Sequence, residues 1–394
     1  MALTSLQLWL LGLMAGVKFL AASSVAFLPT SSRCREFAAA IILGLYFLFY
    51  RDTQLLKVEV LKISLNTFSI IQVGNIVDVL CISRITYPNV PQAKAQQNGG
   101  QIQREAANVK PGIGQRFSWG LATVWNFRGV ATPQQVKGIP CFWRRDPSYV
   151  PEKAAFLARR CLGIAVRIVI LKAWGPAWPL LSPSVDLAFG KQYLFSRIGA
   201  VSSHEMLIRV WATCLFWFRG YLNHSVAYDL ISVIAVTLRL SSPRDWPPMY
   251  GSLRGCHSIR AWWGTTWHQL LRKQLTSFSD FAILDVFRLS RGTLLARYSR
   301  TFLVFWISGM YHILSDGVEV ESGVVRFFVM QAAAVMFEDA VQALYQTSRV
   351  TLGVRWQKLV GYIWVYSFLI WTSPGWRYPV IVYRFRDETL GSPM

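Results

Sequence analysis

Of the five histidines in this chain, His312 lies inside an apolar run, FLVFWISGMYHIL, over residues 302–314. An ionisable side chain is costly to hold in an apolar environment, so its presence there predicts a function. A neutral imidazole shielded from water can accept the proton of an alcohol as that alcohol attacks an electrophile. His312 is therefore predicted to be a general base. His204 and His224 lie near the ends of apolar segments, which predicts interfacial positions, whereas the surroundings of His257 favour neither a structural nor a functional role.

Ser308 precedes His312 by four residues, which predicts that both side chains lie on one helix face. A serine–histidine pair could form a covalent acyl-enzyme. The sequence shows no third, acidic residue that would orient the histidine. Direct general-base catalysis is therefore preferred, and Ser308 is retained as a candidate substrate-binding group.

A second histidine, His268, follows three tryptophans in the segment AWWGTTWHQ, residues 261–269. From about Ser258 the apolar residues recur at helical spacing, which predicts a helix lying in a membrane interface. The predicted faces are Ile259, Trp262, Trp263, Trp267, Leu270 and Leu271 on one side, and Gly264, His268 and Arg272 on another. The alternative is a purely structural role as an aromatic anchor at the membrane interface. The turn at Pro247-Pro248 and the histidine favour a functional segment.

Two adjacent carboxylates, Glu338 and Asp339, interrupt another apolar segment. Carboxylates in such surroundings require cationic partners or a hydrated cavity. Arg326, Arg355 or water in an active site could fill this role. A structural ion pair is the preferred interpretation.

The composition indicates a membrane protein with many spans. The chain has 394 residues, of which 53% are hydrophobic and only 15% are charged, against about 25% charged in soluble domains. Its 41 Lys and Arg against 20 Asp and Glu give a net charge of +21. The basic residues are dispersed among apolar segments, which favours cytoplasmic loops over nucleic-acid binding. The six cysteines are widely spaced, so neither a disulfide framework nor a metal site is predicted.

Apolar stretches long enough to cross a bilayer, or nearly so, predict eight or nine transmembrane helices. They cover about 5–28, 37–50, 58–82, 161–181, 204–222, 225–240, 301–315, 323–345 and 356–372. The first lacks a basic leader and is predicted to be a retained span rather than a signal peptide. The stretch 37–50 is short for a span, so the sequence leaves open whether there are eight or nine spans. It also leaves open whether residues 161–240 cross the bilayer an even or an odd number of times.

Two basic connections divide the chain into predicted regions. Residues 84–160 carry twelve basic and three acidic side chains, a net charge of +9, and residues 241–300 carry nine and three, a net charge of +6. Both are predicted to face the cytosol, either for orientation alone or also to attract a polyanion such as coenzyme A. The predicted regions are N-terminal spans over 1–83, the connection 84–160, which includes a disordered linker at 92–100, and a membrane core over 161–394.

Several segments, in this order, resemble the wax-synthase-like branch of the membrane-bound O-acyltransferases, and in particular fungal members that acetylate terpenoid or meroterpenoid alcohols. The resemblance covers roughly residues 120–372, and the core motifs lie within 246–339. The matching segments are WNFRGVATPQQVK at 125–137, WPPMYG at 246–251, IRAWWGTTWHQ at 259–269, FWISGMYH at 305–312 and MFED at 336–339. The chain departs from that pattern at Ala131, where glycine is common, and at Trp262, where phenylalanine is common.

The resemblance implies an all-α polytopic bundle, with a tunnel, in the endoplasmic reticulum. It implies an O-acetyltransferase that uses acetyl-CoA as cosubstrate and needs neither a bound cofactor nor a metal. Its partners would be the lipid bilayer and a lipophilic alcohol, with no nucleic acid. The implied site consists of His312 as catalytic base, His268 as a second polar group, and Trp263, Trp267, Arg260 and Ser308 as substrate-binding or CoA-binding residues.

Other functions stay open at this point. A long-chain wax-ester or sterol O-acyltransferase would need the same chemistry with a different pocket. A membrane transporter is the alternative from another class, although no internal repeat of the kind common in transporters is present. A prenyltransferase would need aspartate-rich magnesium motifs, and Asp280 and Asp285 are a poor match.

Overall fold

The computed structural model of this chain describes residues 4–87, 111–173, 182–316, 323–349 and 351–390. Within these ranges the secondary structure is helical and no strand occurs, which confirms the predicted all-α class. The predicted linker at 92–100 lies outside the described residues.

The helices vary widely in length. In chain order they are α1 (Ser5–Phe27), α2 (Cys34–Thr53), α3 (Glu59–Val77), α4 (Ile113–Trp125), α5 (Lys153–Ala173), α6 (Pro183–Asp186), α7 (Ser203–Thr237), α8 (Ile259–Ala261), α9 (Arg272–Asp280), α10 (Leu294–Asp316), α11 (Val324–Thr347) and α12 (Val354–Leu390). Helices α3, α8 and α9 continue into π-helical turns, at Asp78–Ile82, Trp262–Thr266 and Phe281–Val286. Short 3₁₀ turns occupy Phe189–Gln192, Phe195–Ala200, Pro243–Asp245 and Leu253–Gly255.

The chain forms two compact units. Unit 1 contains residues 1–129 and 273–289, and unit 2 contains residues 130–272 and 290–394. These units are defined by packing, whereas the predicted regions 1–83, 84–160 and 161–394 are defined by charge and hydropathy. The predicted regions therefore stay a prediction.

Unit 1 is built around the packing of α1 against α2 and α4. Its core contains Val25, Ile42 and Ile76, all fully buried. A buried ion pair between Asp78 and Lys273, with 2.9 Å between Oδ2 and Nζ, ties α9 to the end of α3. Two helical stretches of this unit, Ser5–Phe27 and Leu61–Ile82, are long and apolar enough to cross a membrane by length and composition.

Helix α7 of unit 2 corrects one prediction, because residues 204–222 and 225–240 do not form two separate spans. A single helix runs from Ser203 to Thr237. The residues at the expected break, Asn223 and His224, include neither proline nor a pair of glycines, so nothing interrupts the backbone hydrogen bonds. The buried carboxylate of Asp229 fastens α7 to α5 through ion pairs with Arg160 and Arg167.

Helices α10 and α11 form an antiparallel pair. Arg297 near the start of α10 binds Asp339 near the end of α11, and Gly309 near the end of α10 lies against Val325 at the start of α11. A Cβ atom at Gly309 would lie 3.0 Å from the Cα of Val325. The glycine of the Ser-Gly-x-x-His motif therefore allows a close helix contact one turn before His312.

Candidate active site

His312 lies on α10 among aromatic rings contributed by the two following helices. Its imidazole stacks on Phe328 of α11, with 4.8 Å between ring centroids and 10° between planes. Trp376 of α12 lies 4.9 Å away at an interplanar angle of 62°. The half-buried histidine thus has aromatic neighbours on two sides.

Ser308 lies one turn before His312, as the spacing predicted, and its side chain is buried. The nearby carboxylates of the sequence do not complete a catalytic triad with this pair. Glu338 and Asp339 follow Phe328 by ten and eleven residues on α11, a rise of about 15 Å along the helix. Both also have other partners, described below.

The tryptophan-rich segment differs from the predicted single helix. Ser258 caps its first turn by accepting a hydrogen bond from the backbone N–H of Ala261, and the helix ends at Thr266. Trp267 is extended, with φ −73° and ψ 160°. The Gln269 side chain donates to the carbonyls of Trp263 and Trp267, at 2.9 Å each.

The two predicted faces of this segment are therefore wrong beyond Thr266. Hydrogen bonds from a side chain take the place of the next helical turn, which periodicity alone does not reveal. His268 and Arg272 do not continue the helix of Gly264. Instead the Arg272 guanidinium bends back and donates to the Gly264 carbonyl at 2.6 Å and to the Lys137 carbonyl at 2.9 Å.

Glu338 holds the start of the tryptophan-rich segment. Its carboxylate accepts hydrogen bonds from the backbone N–H of Ile259, from that of Arg260 at 3.1 Å, and from the indole of Trp364 at 2.8 Å. Asp339 pairs with Arg260 and Arg297 at the protein surface, and not with either arginine proposed from the sequence. Arg260, a predicted CoA-binding residue, thus has a carboxylate partner in this structure.

Trp263 connects this segment to the surroundings of His312. Its ring lies 5.7 Å from that of Phe328, the residue that stacks on His312. Its indole N–H donates to Gln331 Oε1 at 3.1 Å, which fixes the orientation of the ring. The structure therefore brings two predicted site residues, Trp263 and His312, against the same phenylalanine.

His268 belongs to a second cluster with two residues that the sequence analysis did not select. Its ring centroid lies 5.4 Å from that of His224 on α7 and 6.2 Å from that of Tyr250. His224 Nδ1 and the Tyr250 hydroxyl are 2.9 Å apart. His224 could have been found by the reasoning applied to His312, because it is also a histidine inside an apolar helix.

Tyr250 is held by the WPPMYG segment. The Gly251 N–H donates to the Thr266 carbonyl at 2.9 Å, and a Cβ at Gly251 would overlap the Thr265 carbonyl oxygen. Arg160 donates to the Trp246 carbonyl at 2.7 Å. Burial raises the pKa of Tyr250, so its hydroxyl is protonated at neutral pH and can donate a hydrogen bond.

The two histidine clusters are joined by tryptophan and phenylalanine rings. Trp267 lies beside His268 and contacts Trp217 at 4.7 Å between centroids. Trp217 contacts Trp263 at 6.0 Å, and Trp263 contacts Phe328 beside His312. All four predicted aromatic and histidine residues thus belong to one aromatic core of unit 2.

One departure of the sequence from its family pattern has a structural consequence. Ala131 has a positive φ of 59°, a backbone conformation that favours glycine.

In the part of the chain that the structure describes, no three His, Cys, Asp or Glu side chains are grouped so that they could hold a metal ion.

Comparison with known proteins identifies relatives of this chain. A model of the membrane bound O-acyl transferase family matches residues 246–330, which include Tyr250, His268 and His312. Acetyltransferase aurG of Calcarisporium arbuscula is 30% identical over 323 residues, 78% of this chain and 76% of that protein. Acetyltransferase fsoF of Humicola fuscoatra is 33% identical over 72% of this chain and 71% of its own length. Acetyltransferase ataH of Aspergillus terreus is 32% identical over 69% and 91%. No solved structure matches the chain.

Proposed function

Because this chain belongs to the membrane bound O-acyl transferase family and is an acyltransferase, we propose that it moves the acetyl group of acetyl-CoA onto a hydroxyl of a lipophilic secondary metabolite, a terpenoid or meroterpenoid. The proposal takes its donor from the relatives, which are named acetyltransferases. The observation that carries it is His312, held between Phe328 and Trp376 in the aromatic core of unit 2.

In the proposed reaction His312 takes the proton of the acceptor hydroxyl. The oxygen attacks the carbonyl carbon of the thioester, and a new C–O bond forms as a tetrahedral intermediate. The C–S bond then breaks, and the imidazolium returns its proton to the CoA thiolate. The products are the acetate ester and free CoA, and no covalent acyl-enzyme on Ser308 is needed.

The remaining site residues would bind and orient the two substrates. His268 would hydrogen-bond the developing oxyanion or position the acceptor, and Tyr250 is a further protonated donor beside it. Trp263 and Trp267 would form the walls of the substrate path, and Ser308 would contact substrate beside His312. Arg260 would attract the CoA phosphates in addition to its pairing with Asp339.

The proposed setting is a multi-pass protein of the endoplasmic reticulum whose spans surround a tunnel. Acetyl-CoA would arrive from the cytosol, on the side of the basic connections 84–160 and 241–300. The acceptor alcohol would arrive from the lipid bilayer. Mapping these connections with glycosylation tags tests the topology, because a tag in either connection that becomes glycosylated contradicts it.

The direct test is His312→Ala in purified membranes, followed by release of free CoA and by mass spectrometry of the ester. Loss of a general base should slow turnover roughly a hundredfold to ten-thousandfold. His204→Ala is the matched control, since His204 is an exposed histidine at the start of α7. Near wild-type turnover in His312→Ala would remove this residue from the mechanism.

A second comparison tests the acyl donor and the acceptor. Acetyl-CoA with a hydroxylated polycyclic terpenoid should react far better than palmitoyl-CoA with a long-chain alcohol. The expected reason is pocket shape, because bulky tryptophans at 262, 263 and 267 would form the walls of a short, wide cavity, whereas a wax ester needs two long, narrow channels. Preferential wax-ester formation would retain the acyltransferase activity and contradict the terpenoid acceptor.

A further inference from the structure

Unit 2 contains a cavity of about 180 Å³ that none of the site residues described above lines. Its wall combines the 3₁₀ turns before α7, the first turns of α11 and the middle of α12. Four of its twelve lining residues are aromatic, and among the described residues that form it Arg326 is the one charged side chain. We refer to it as the Arg326 cavity.

This wall contains two hydrogen-bond donors, an exposed arginine and a buried amide. Arg326 is exposed, and its guanidinium lies 4.4 Å from the centroid of the Tyr193 ring. Gln192 is 3% exposed, and its amide nitrogen has no partner within the described part of the chain. An oxygen on a bound molecule would supply the acceptor that the Gln192 amide lacks and would replace water at the Arg326 guanidinium.

The Arg326 cavity lies at the His312 end of the helix pair. His312 follows Arg297 by fifteen residues on α10, a rise of about 22 Å, and Arg326 precedes Asp339 by thirteen residues, about 20 Å on α11. The cavity is thus remote from the surface pairs of Asp339. Phe327, which lines the cavity, also packs on Phe328 and Trp376, the two ring neighbours of His312.

The size and walls of the cavity limit what it can bind. Its volume is several times that of one water molecule, about 30 Å³, but it is smaller than the roughly 300–1,000 Å³ of pockets that hold a whole drug-sized ligand. It would therefore hold one end of a larger molecule. A wall that combines aromatic side chains with two hydrogen-bond donors favours an apolar ring that carries an oxygen acceptor.

We propose that the Arg326 cavity binds the end of the acceptor alcohol that is remote from its reacting hydroxyl, and that this end carries a hydrogen-bond-accepting oxygen such as a ketone or carboxylate. This inference rests on the proposed function, because it assigns the cavity to the acceptor of that reaction. A phosphate of CoA offers the same acceptor chemistry, so the test must separate the two substrates.

The test uses equilibrium binding of two radiolabelled steroids to the purified full-length protein. The probes are dehydroepiandrosterone, an alcohol with a remote ketone, and the same steroid without the ketone oxygen. A hydrogen bond from a charged donor should make the ketone probe bind roughly tenfold to a hundredfold more tightly. Arg326→Met should remove this preference, and Gln192→Leu should reduce it. Arg355→Met, at an exposed arginine of α12 outside the cavity wall, should retain it.

Two results would overturn the inference. One is equal or undetectable binding of the two probes by the unmodified protein, and the other is a ketone preference that persists in Arg326→Met. Acetyl-CoA binding is measured in parallel, and a selective loss of it in Arg326→Met would assign the cavity to CoA instead. Because the binding assay needs no turnover, a failure of the acetyl-transfer proposal can be distinguished from a failure of the proposed binding site.

Discussion

Glu338→Gln should disable the site by releasing the tryptophan-rich segment. The carboxylate is 7% exposed and accepts from the Ile259 N–H, the Arg260 N–H and the Trp364 indole. Glutamine keeps one acceptor oxygen and replaces the other with an NH₂ group that faces a donor. Hydrogen bonds to a charged group contribute about 1.5–3 kcal/mol each, so losing one or two of them should cost about 2–4 kcal/mol of unfolding free energy.

Asp339→Asn is the matched control, because it makes the same chemical change one residue later. Asp339 pairs with Arg260 and Arg297, whose side chains are 46% and 50% exposed. Ion pairs that are this exposed contribute at most about 1 kcal/mol. Glu338→Gln should therefore be the more destabilising of the two neighbouring substitutions, although both remove the same charge.

The assay combines thermal unfolding in detergent with steady-state kinetics. Glu338→Gln should lower both the midpoint temperature and kcat, because Trp263 and His268 follow the released turn. Glu338→Asp, which keeps the charge, should recover part of both. If Glu338→Gln and Asp339→Asn behave alike, or if the glutamine variant is as stable as the unmodified protein, the carboxylate does not hold this segment.

Two further predictions concern packing and pKa. Gly309→Ala should lower the midpoint of thermal unfolding and the rate of acetyl transfer, because its Cβ would lie 3.0 Å from the Cα of Val325 and overpacking costs about 1–3 kcal/mol; an unchanged midpoint would show that α10 and α11 can separate freely. Burial raises the pKa of the Cys256 thiol from 9.0 to about 11, so N-ethylmaleimide at pH 8 should modify Cys256 more slowly than the exposed Cys141. Since the unfolded chain loses this proton first, the Cys256 contribution to stability should fall as pH rises from 9 to 11. Equal labelling rates in the folded protein would contradict the burial.

Local patterns carried much of the prediction. The helical class and the shared face of Ser308 and His312 depend on residues within a few turns of one another, and the structure has both on α10. The family resemblance, confirmed by the acetyltransferase relatives, also rests on short ordered motifs. Such motifs report chemistry because each preserves residue types at fixed spacing.

Local patterns failed where a side chain replaced a backbone partner. Periodicity extended the tryptophan-rich helix to Arg272, whereas the Gln269 side chain takes the Trp263 and Trp267 carbonyls. Hydropathy similarly suggested a break near His224, where the helix continues. In both cases the hydrophobic pattern is compatible with two backbone paths, and hydrogen bonds decide between them.

By itself the sequence determined the helical class and the acyltransferase family, and it identified His312 and His268 as candidate site residues. These depend on composition and on neighbours along the chain. Only the tertiary structure decided that Phe328 and Trp376 surround His312, that His224 and Tyr250 join His268, and that Glu338 holds a turn that begins 79 residues earlier. The physical reason is that these contacts join separate helices. Which faces meet depends on the packing of side chains over whole helix surfaces, and no single segment contains that information.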